Sequence, residues 1–223
     1  SKDRCYSLYL LFFYRAWQED GYFYSQTELC CRDTCREMLD SIRLSWHISK
    51  LKYPSLAQNL PRADASTTGG FLPCGTVWKI FHDVAAGLSH VHSHGIVHHD
   101  IKPSNIFFVP NARFGAMCKI GDFGMAGEIG DVCDGQEGDA RYMSPELLVS
   151  STRTPSTDIF SFGLIIYEIA SEVHFEMPHE GPLWHQLRSL HEPRLPASRG
   201  KELECLVQAM TNPKHTCRPT ADK

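Results

Sequence analysis

The densest chemistry in the sequence lies in eight consecutive residues, His98-His99-Asp100-Ile101-Lys102-Pro103-Ser104-Asn105. Phosphoryl transfer to a hydroxyl needs a carboxylate that orients the nucleophile and accepts its proton, and Asp100 is of that type. It also needs oxygen ligands for the magnesium on the phosphates, for which Asn105 is the candidate. Lys102, between them, offers a point charge to the transferring group. The same residue types also compose ordinary surface turns, so the octapeptide decides nothing alone. Further on, Asp122-Phe123-Gly124 offers a second anionic oxygen for a metal. Gly124 is expected to take backbone angles closed to other residues.

Such groups need elements to hold them. Thr76 to His92 carries Val77, Ile80, Phe81, Val84, Leu88 and Val91 at helical spacing, with Gly95 as a stop just before the octapeptide. Ile106–Val109 and Met117–Ile120 read as a short hairpin between Asn105 and Asp122. Ser156 to Ala170 is apolar on nearly every side and belongs at the centre of a domain. Lys201 to Met210 reads as a later surface helix. Near the N-terminus, Ser7–Tyr14 and Tyr22–Glu28 read as two strands around the turn Glu19-Asp20-Gly21. A helix follows, capped by Asp33 or Thr34. Residues 49–75 lose periodicity and gather Pro, Gly, Ser and Thr, which marks a loop or insertion.

Composition narrows the class. The 223 residues, 42% hydrophobic and 22% charged, suffice for one large domain or two small ones with a sizeable core. A formal net charge of -4 argues against a nucleic-acid grip. Nine scattered cysteines, an odd number without a C-x-x-C pair, suggest free thiols in a reducing compartment. The longest apolar run, Leu8–Phe13, is too short to span a bilayer. His90 and His94 share a helix face, but a structural role at the helix end, where the dipole favours a cationic histidine, is a better reading than zinc.

The octapeptide, Asp122-Phe123-Gly124, Ser144-Pro145-Glu146, Asp158 and Arg218, in that order, resemble the eukaryotic protein kinase superfamily. The resemblance covers essentially the whole chain. It implies an α+β protein-kinase-like fold, with residues 1–30 as the remnant of a small β lobe and its hinge, and residues 31–223 as a mainly helical lobe. Phe13-Tyr14-Arg15-Ala16-Trp17, Gln26-Thr27-Glu28-Leu29-Cys30, Glu137-Gly138-Asp139-Ala140-Arg141 and Pro178 to Arg188 look most like the Wee/Myt family of inhibitory kinases. The hinge resembles its membrane-associated, dual-specificity branch. A rival is the group that phosphorylates a translation initiation factor, which shares Lys102 to Phe108 and Tyr142 to Glu146 but usually keeps Arg at position 99 and Thr at position 139.

By this resemblance Asp100 and Lys102 are catalytic, and Asn105 and Asp122 hold Mg2+. Glu28 and Cys30 offer backbone groups to the adenine of ATP, Thr27 is the gatekeeper and Phe107 part of the adenine floor. Asp158 holds the loop backbone, unless it is only a helix cap. Glu146 pairs with Arg218, and His98 packs on Phe123. Asp139 either holds Lys102 or is a solvated loop acid. His99 stands where many kinases have the arginine that binds an activating phosphate, which implies independence of that phosphate unless His99 is merely a tolerated exposed side chain. The implied partner is a cyclin-dependent kinase. The implied location is the cytoplasm or nucleus, with endomembrane association through a segment outside this chain. The sequence shows neither a glycine-rich phosphate loop nor a strand lysine in V-A-I-K context. The chain is therefore expected to have little activity by itself, or to act as a docking module.

Overall fold

The computed structural model describes residues 7–30, 33–50, 71–111, 115–132, 138–150, 152–189 and 193–223. The chain opens with two antiparallel strands, β1 (Phe13–Glu19) and β2 (Tyr22–Thr27). Asp20 (φ 51°) and Gly21 (φ 80°) are both left-handed, which gives the two-residue hairpin turn whose twist suits the strands. The turn lies where it was expected, but the first strand does not. Ser7–Phe12 instead runs beside a later strand, with Leu11 N–H donating to Ile120 O (2.8 Å) and Ile120 N–H to Tyr9 O (2.9 Å). The apolar density that suggested a strand there is matched to that docking. Every residue of β1 is exposed, so burial imposes no alternation to read.

Helix α1 (Cys35–Lys50) starts on a reciprocal cap. Thr34 Oγ1 accepts the Glu37 N–H (3.3 Å) while the Glu37 carboxylate accepts the Thr34 N–H (2.6 Å), which selects Thr34 over Asp33. Helix α2 (Cys74–Ser93) buries the expected Val77, Ile80, Val84, Leu88 and Val91. Both helices reach into the stretch read as a loop over 49–75, α1 at Lys50 and α2 at Cys74, with Pro73 as the residue that leads into α2. Residues 51–70 of that stretch lie outside the described ones. Gly95 (φ 75°) ends α2, donating its N–H to His92 O (3.0 Å).

Strand β3 (Ile96–Val97) follows and pairs with the later β6 (Gly127–Glu128). Between them β4 (Ile106–Asn111) and β5 (Gly115–Ile120) form the expected hairpin, with Ile106 opposite Ile120. Helix α3 (Pro155–Ala170) is buried on nearly all sides. Two further helices are α4 (Pro182–Arg188) and α5 (Lys201–Met210). The core is the shared interior of α2, α3, α5 and the β4–β5 hairpin, where Val84, Leu88, Ile120, Phe160, Ile165 and Val207 are fully enclosed. Each such side chain contributes about 1.5–3 kcal/mol. Gly163 lets α3 approach α5, since a Cβ there would lie 2.8 Å from Thr211 Cγ2 and 2.9 Å from Met210 Cβ. The architecture is α+β, with small antiparallel sheets on a mainly helical body.

Candidate active site

Residues His98 to Asn105 leave β3 and turn through a short 3-10 helix, Pro103–Asn105, into β4. Asp158 on α3 fixes the entry. Its two oxygens accept the backbone N–H groups of His98 and His99, both at 2.8 Å, and His92 Nε2 lies 2.9 Å from Oδ2. The helix cap is Thr154, so the plain capping role for Asp158 is excluded. Burial opposes the ionisation of Asp158. The His92 hydrogen bond and charge and the His98 N–H outweigh it, so the pKa lies below the usual carboxylate range.

His99 sits in the left-handed region (φ 69°) and is only 9% exposed. It is therefore not a surface side chain, and burial lowers its pKa despite the nearby carboxylates of Asp158 and Asp100. His98 accepts the Asp100 N–H at Nδ1 (3.3 Å), which leaves Nε2 as the donor to Gly121 O (3.0 Å). Its ring lies 4.8 Å from that of Phe123, as the resemblance implied.

Asp100 is reached from three sides. Lys102 Nζ lies 2.6 Å from Oδ2, Asn105 Nδ2 donates to Oδ2 (3.1 Å) and to the Asp100 carbonyl (2.9 Å), and the Asp139 N–H approaches Oδ1 (3.5 Å). Asn105 O accepts the N–H of Gly121, which brings Asp122 to the same place (3.0 Å). Asp100, Lys102 and Asn105 thus form one bonded group, and Asp100 lines a cavity shared with His99, Gly138, Asp139, Met143 and Leu147. The carboxylate of Asp122 and the carboxamide of Asn105 carry oxygens of the type that suits Mg2+.

Three expectations are corrected here. Gly124 has no positive φ; the left-handed residue is Asp122 (φ 61°), whose Oδ1 accepts the Gly124 N–H (3.3 Å). The turn is stabilised by its own carboxylate, a local bond that D-F-G spacing does not disclose. Asp139 does not hold Lys102. Its carboxylate is clasped by Arg141, with Nη2 to Oδ2 at 2.6 Å and Nε to Oδ1 at 3.0 Å. Burial resists that charge, but the Arg141 bonds keep the pKa low. Finally, His90 is not favoured as a cation, because burial and then His94 lower its pKa.

The residues expected to form the hinge lie at the end of β2 and just after it. Thr27 ends β2, exposed, and its hydroxyl donates to Glu28 O (3.2 Å). Glu28 accepts the Phe12 N–H (2.7 Å) and pairs with Lys119 of β5 (2.6 Å), tying the hinge to the strand that leads to Asp122. Cys30 is partly buried with its thiol 3.9 Å from Glu28 O. Phe107 bridges to Thr34 and lies against Gly121, where a Cβ would come within 2.8 Å of the ring. Glu146 and Arg218 pair as implied, at 2.5 and 2.8 Å.

A family model described as the protein kinase domain matches residues 9–223. The chain belongs to that family. Among curated relatives of this kinase domain is the membrane-associated tyrosine- and threonine-specific cdc2-inhibitory kinase wee-1.3 of Caenorhabditis elegans. It is 34% identical over 95% of this chain and 27% of that protein. A probable protein kinase of Dictyostelium discoideum is 37% identical over 92% of this chain and 51% of its own length. The mitosis inhibitor protein kinase wee1 of Schizosaccharomyces pombe is 30% identical over 93% of this chain and 23% of its own. The kinase domain thus spans about a quarter to about half the length of these relatives. No helix among the described residues is long and apolar enough to cross a membrane.

Sequence reasoning missed Arg141, Trp184 and Arg188 as parts of this site. Arg141 stands two residues from Asp139, a spacing too common to signal a pair. The other two come from α4, whose place against residues 140–143 only the tertiary fold discloses.

Proposed function

We propose that this domain transfers the γ-phosphoryl group of ATP to a tyrosine or threonine hydroxyl of a cyclin-dependent kinase, an inhibitory phosphorylation in cell-cycle control. One observation carries the chemistry: Asp100, Lys102 and Asn105 are hydrogen-bonded into one unit at the edge of a cleft. The substrate class rests on the relatives, one named as a cdc2-inhibitory kinase and another as a mitosis inhibitor kinase.

ATP with Mg2+, when bound, supplies the activated phosphoryl group and the metal charge that offsets the phosphate oxygens. The chain's own residues do the rest. Asp100 accepts the proton of the incoming hydroxyl and aims its oxygen. Lys102 places an ammonium where negative charge develops, and its bond to Asp100 holds the two side chains together. Asn105 and Asp122 are the metal ligands. Thr27, Glu28, Cys30 and Phe107 form the adenine side. His99 lacks the bidentate fork that a guanidinium offers a phosphate, so activity does not depend on phosphorylating the segment after Asp122.

The test uses the intact gene product with radiolabelled ATP and a cyclin-dependent kinase. Label should appear on the tyrosine or threonine of the substrate's glycine-rich loop and disappear when these become Phe and Ala. Label on a translation initiation factor subunit, with none on the cyclin-dependent kinase, would overturn the substrate assignment.

A further inference from the structure

The segment that walls the site offers no ready point for a phosphate to organise it. Between Asp122 and Glu146 the hydroxyl side chains are Tyr142 and Ser144, and they are 2% and 0% exposed. The Tyr142 hydroxyl is engaged by Arg36 and by Glu168 of α3, and its carbonyl accepts Ser161 Oγ (2.7 Å). Something already present in the fold must hold the segment's last turn.

Helix α4 supplies it. Arg188 is 6% exposed, and its hydrogen bonds go to carbonyl oxygens. Nε donates to Met143 O (2.9 Å), Nη2 to Ala140 O (2.9 Å) and Arg141 O (3.0 Å), and Nη1 to Trp184 O (3.1 Å). The guanidinium stacks 3.9 Å from the Trp184 ring centroid. Trp184 Nε1 adds a second donor to Ala140 O (2.8 Å). Three carbonyls of residues 140–143 therefore converge on one buried cation. Moving that backbone away would strip the buried cation of all its carbonyl partners except Trp184 O, which is a costly state. A lysine cannot replace the arrangement, because it lacks the planar fork.

The clamp leads directly to the base. Tyr142 N–H closes a turn on Asp139 O (2.9 Å), and Asp139 N–H in turn approaches Asp100 Oδ1 (3.5 Å). Gly138 packs so closely that a Cβ there would lie 3.3 Å from the same oxygen.

We infer that Arg188, seated on Trp184, is a positioning residue that fixes residues 139–143 against Asp100 and takes the place of an activating phosphate. The inference rests on the proposed phosphoryl transfer, since the aim of Asp100 matters only to that reaction. It works through backbone geometry rather than contact with substrate.

The intact gene product is assayed first as wild type and as Asp100→Asn. Transfer by the former and not the latter establishes the reaction, and its absence bears on the function alone. Arg188→Ala should then lower kcat about ten- to a hundredfold, the effect of misplacing a reactive group by about an ångström. ATP affinity should be unchanged, and hydrogen exchange at the Arg141 and Tyr142 amides should quicken. Arg188→Lys should recover only part of the loss. Val207→Ala, in the core of α5, serves as a stability control that should lower the melting temperature with kcat intact. Wild-type kcat in Arg188→Ala, or an equal kcat loss in Val207→Ala at equal melting temperature, would overturn the inference. If Arg188→Ala does not fold, Trp184→Phe keeps the ring and deletes one hydrogen bond. It should cost about three- to tenfold in kcat with faster exchange at Arg141, and no change in either would overturn the inference.

Discussion

At the scale of single residues, the site is held by buried polar groups whose charge states are set by their neighbours. His99 has its pKa lowered first by burial, against the pull of Asp158 and Asp100 and with that of Arg153 and His98. A histidine with a depressed folded pKa is more readily protonated in the unfolded chain. Stability should therefore fall as pH drops below the ordinary value of 6.5 and level off beneath the folded pKa. Urea unfolding from pH 7.5 to 5 should show this slope, and His99→Gln should flatten it; an unaltered slope would mean that His99 is not its source. Asp158 has the opposite sign of charge, and its depressed pKa stabilises the fold above the normal carboxylate value of 3.8, the benefit fading as pH falls through the lower folded value. Asp158→Asn replaces a charged acceptor of two buried N–H groups and should cost about 3 kcal/mol by chemical denaturation. A loss within about 0.5 kcal/mol, the range of an ordinary surface change, would remove Asp158 as the anchor of the loop.

Elements matter by what they bring to that loop. Helix α3 delivers Asp158 beneath it, β4 and β5 hold Asn105 and Asp122 together, and α4 clamps the wall at 140–143. Much of this was legible from residue patterns. The period of α2, the apolar α3, the β4–β5 hairpin and the order of the charged motifs all follow from burial or chemistry that repeats along the chain. Exposed β1 left no such record, and Ser7–Phe12 looked like a strand because its apolar side chains dock on β5. The Asp139–Arg141 pair escaped because its two-residue spacing is common, and the Arg188–carbonyl contacts because backbone acceptors have no sequence identity. The Glu146–Arg218 pair was inferred only from resemblance, and its burial makes a quantitative prediction. Arg218 is enclosed, its side chain 0% exposed, with Asn212 O and Ser156 O as further acceptors. Glu146→Ala should destabilise by about 3–5 kcal/mol through the stranded cation, read as a lower urea midpoint at constant slope. A cost below about 1 kcal/mol would show that the carbonyls alone satisfy the arginine.

Over the whole molecule, a mainly helical body encloses the core, while both strands of the β1–β2 hairpin are exposed. The segment after β2 is joined to that body by the Glu28–Lys119 pair on β5. The relatives share this domain within longer proteins, and the account places its chemistry in Asp100 irrespective of what those proteins add. The most direct measurement is single-turnover phosphoryl transfer by the intact gene product, comparing wild type with Asp100→Asn at saturating ATP. Loss of the base should slow transfer by about 10²- to 10⁴-fold while ATP still binds. Equal transfer by the two proteins would contradict the assignment of Asp100, and with it the catalytic reading of the loop.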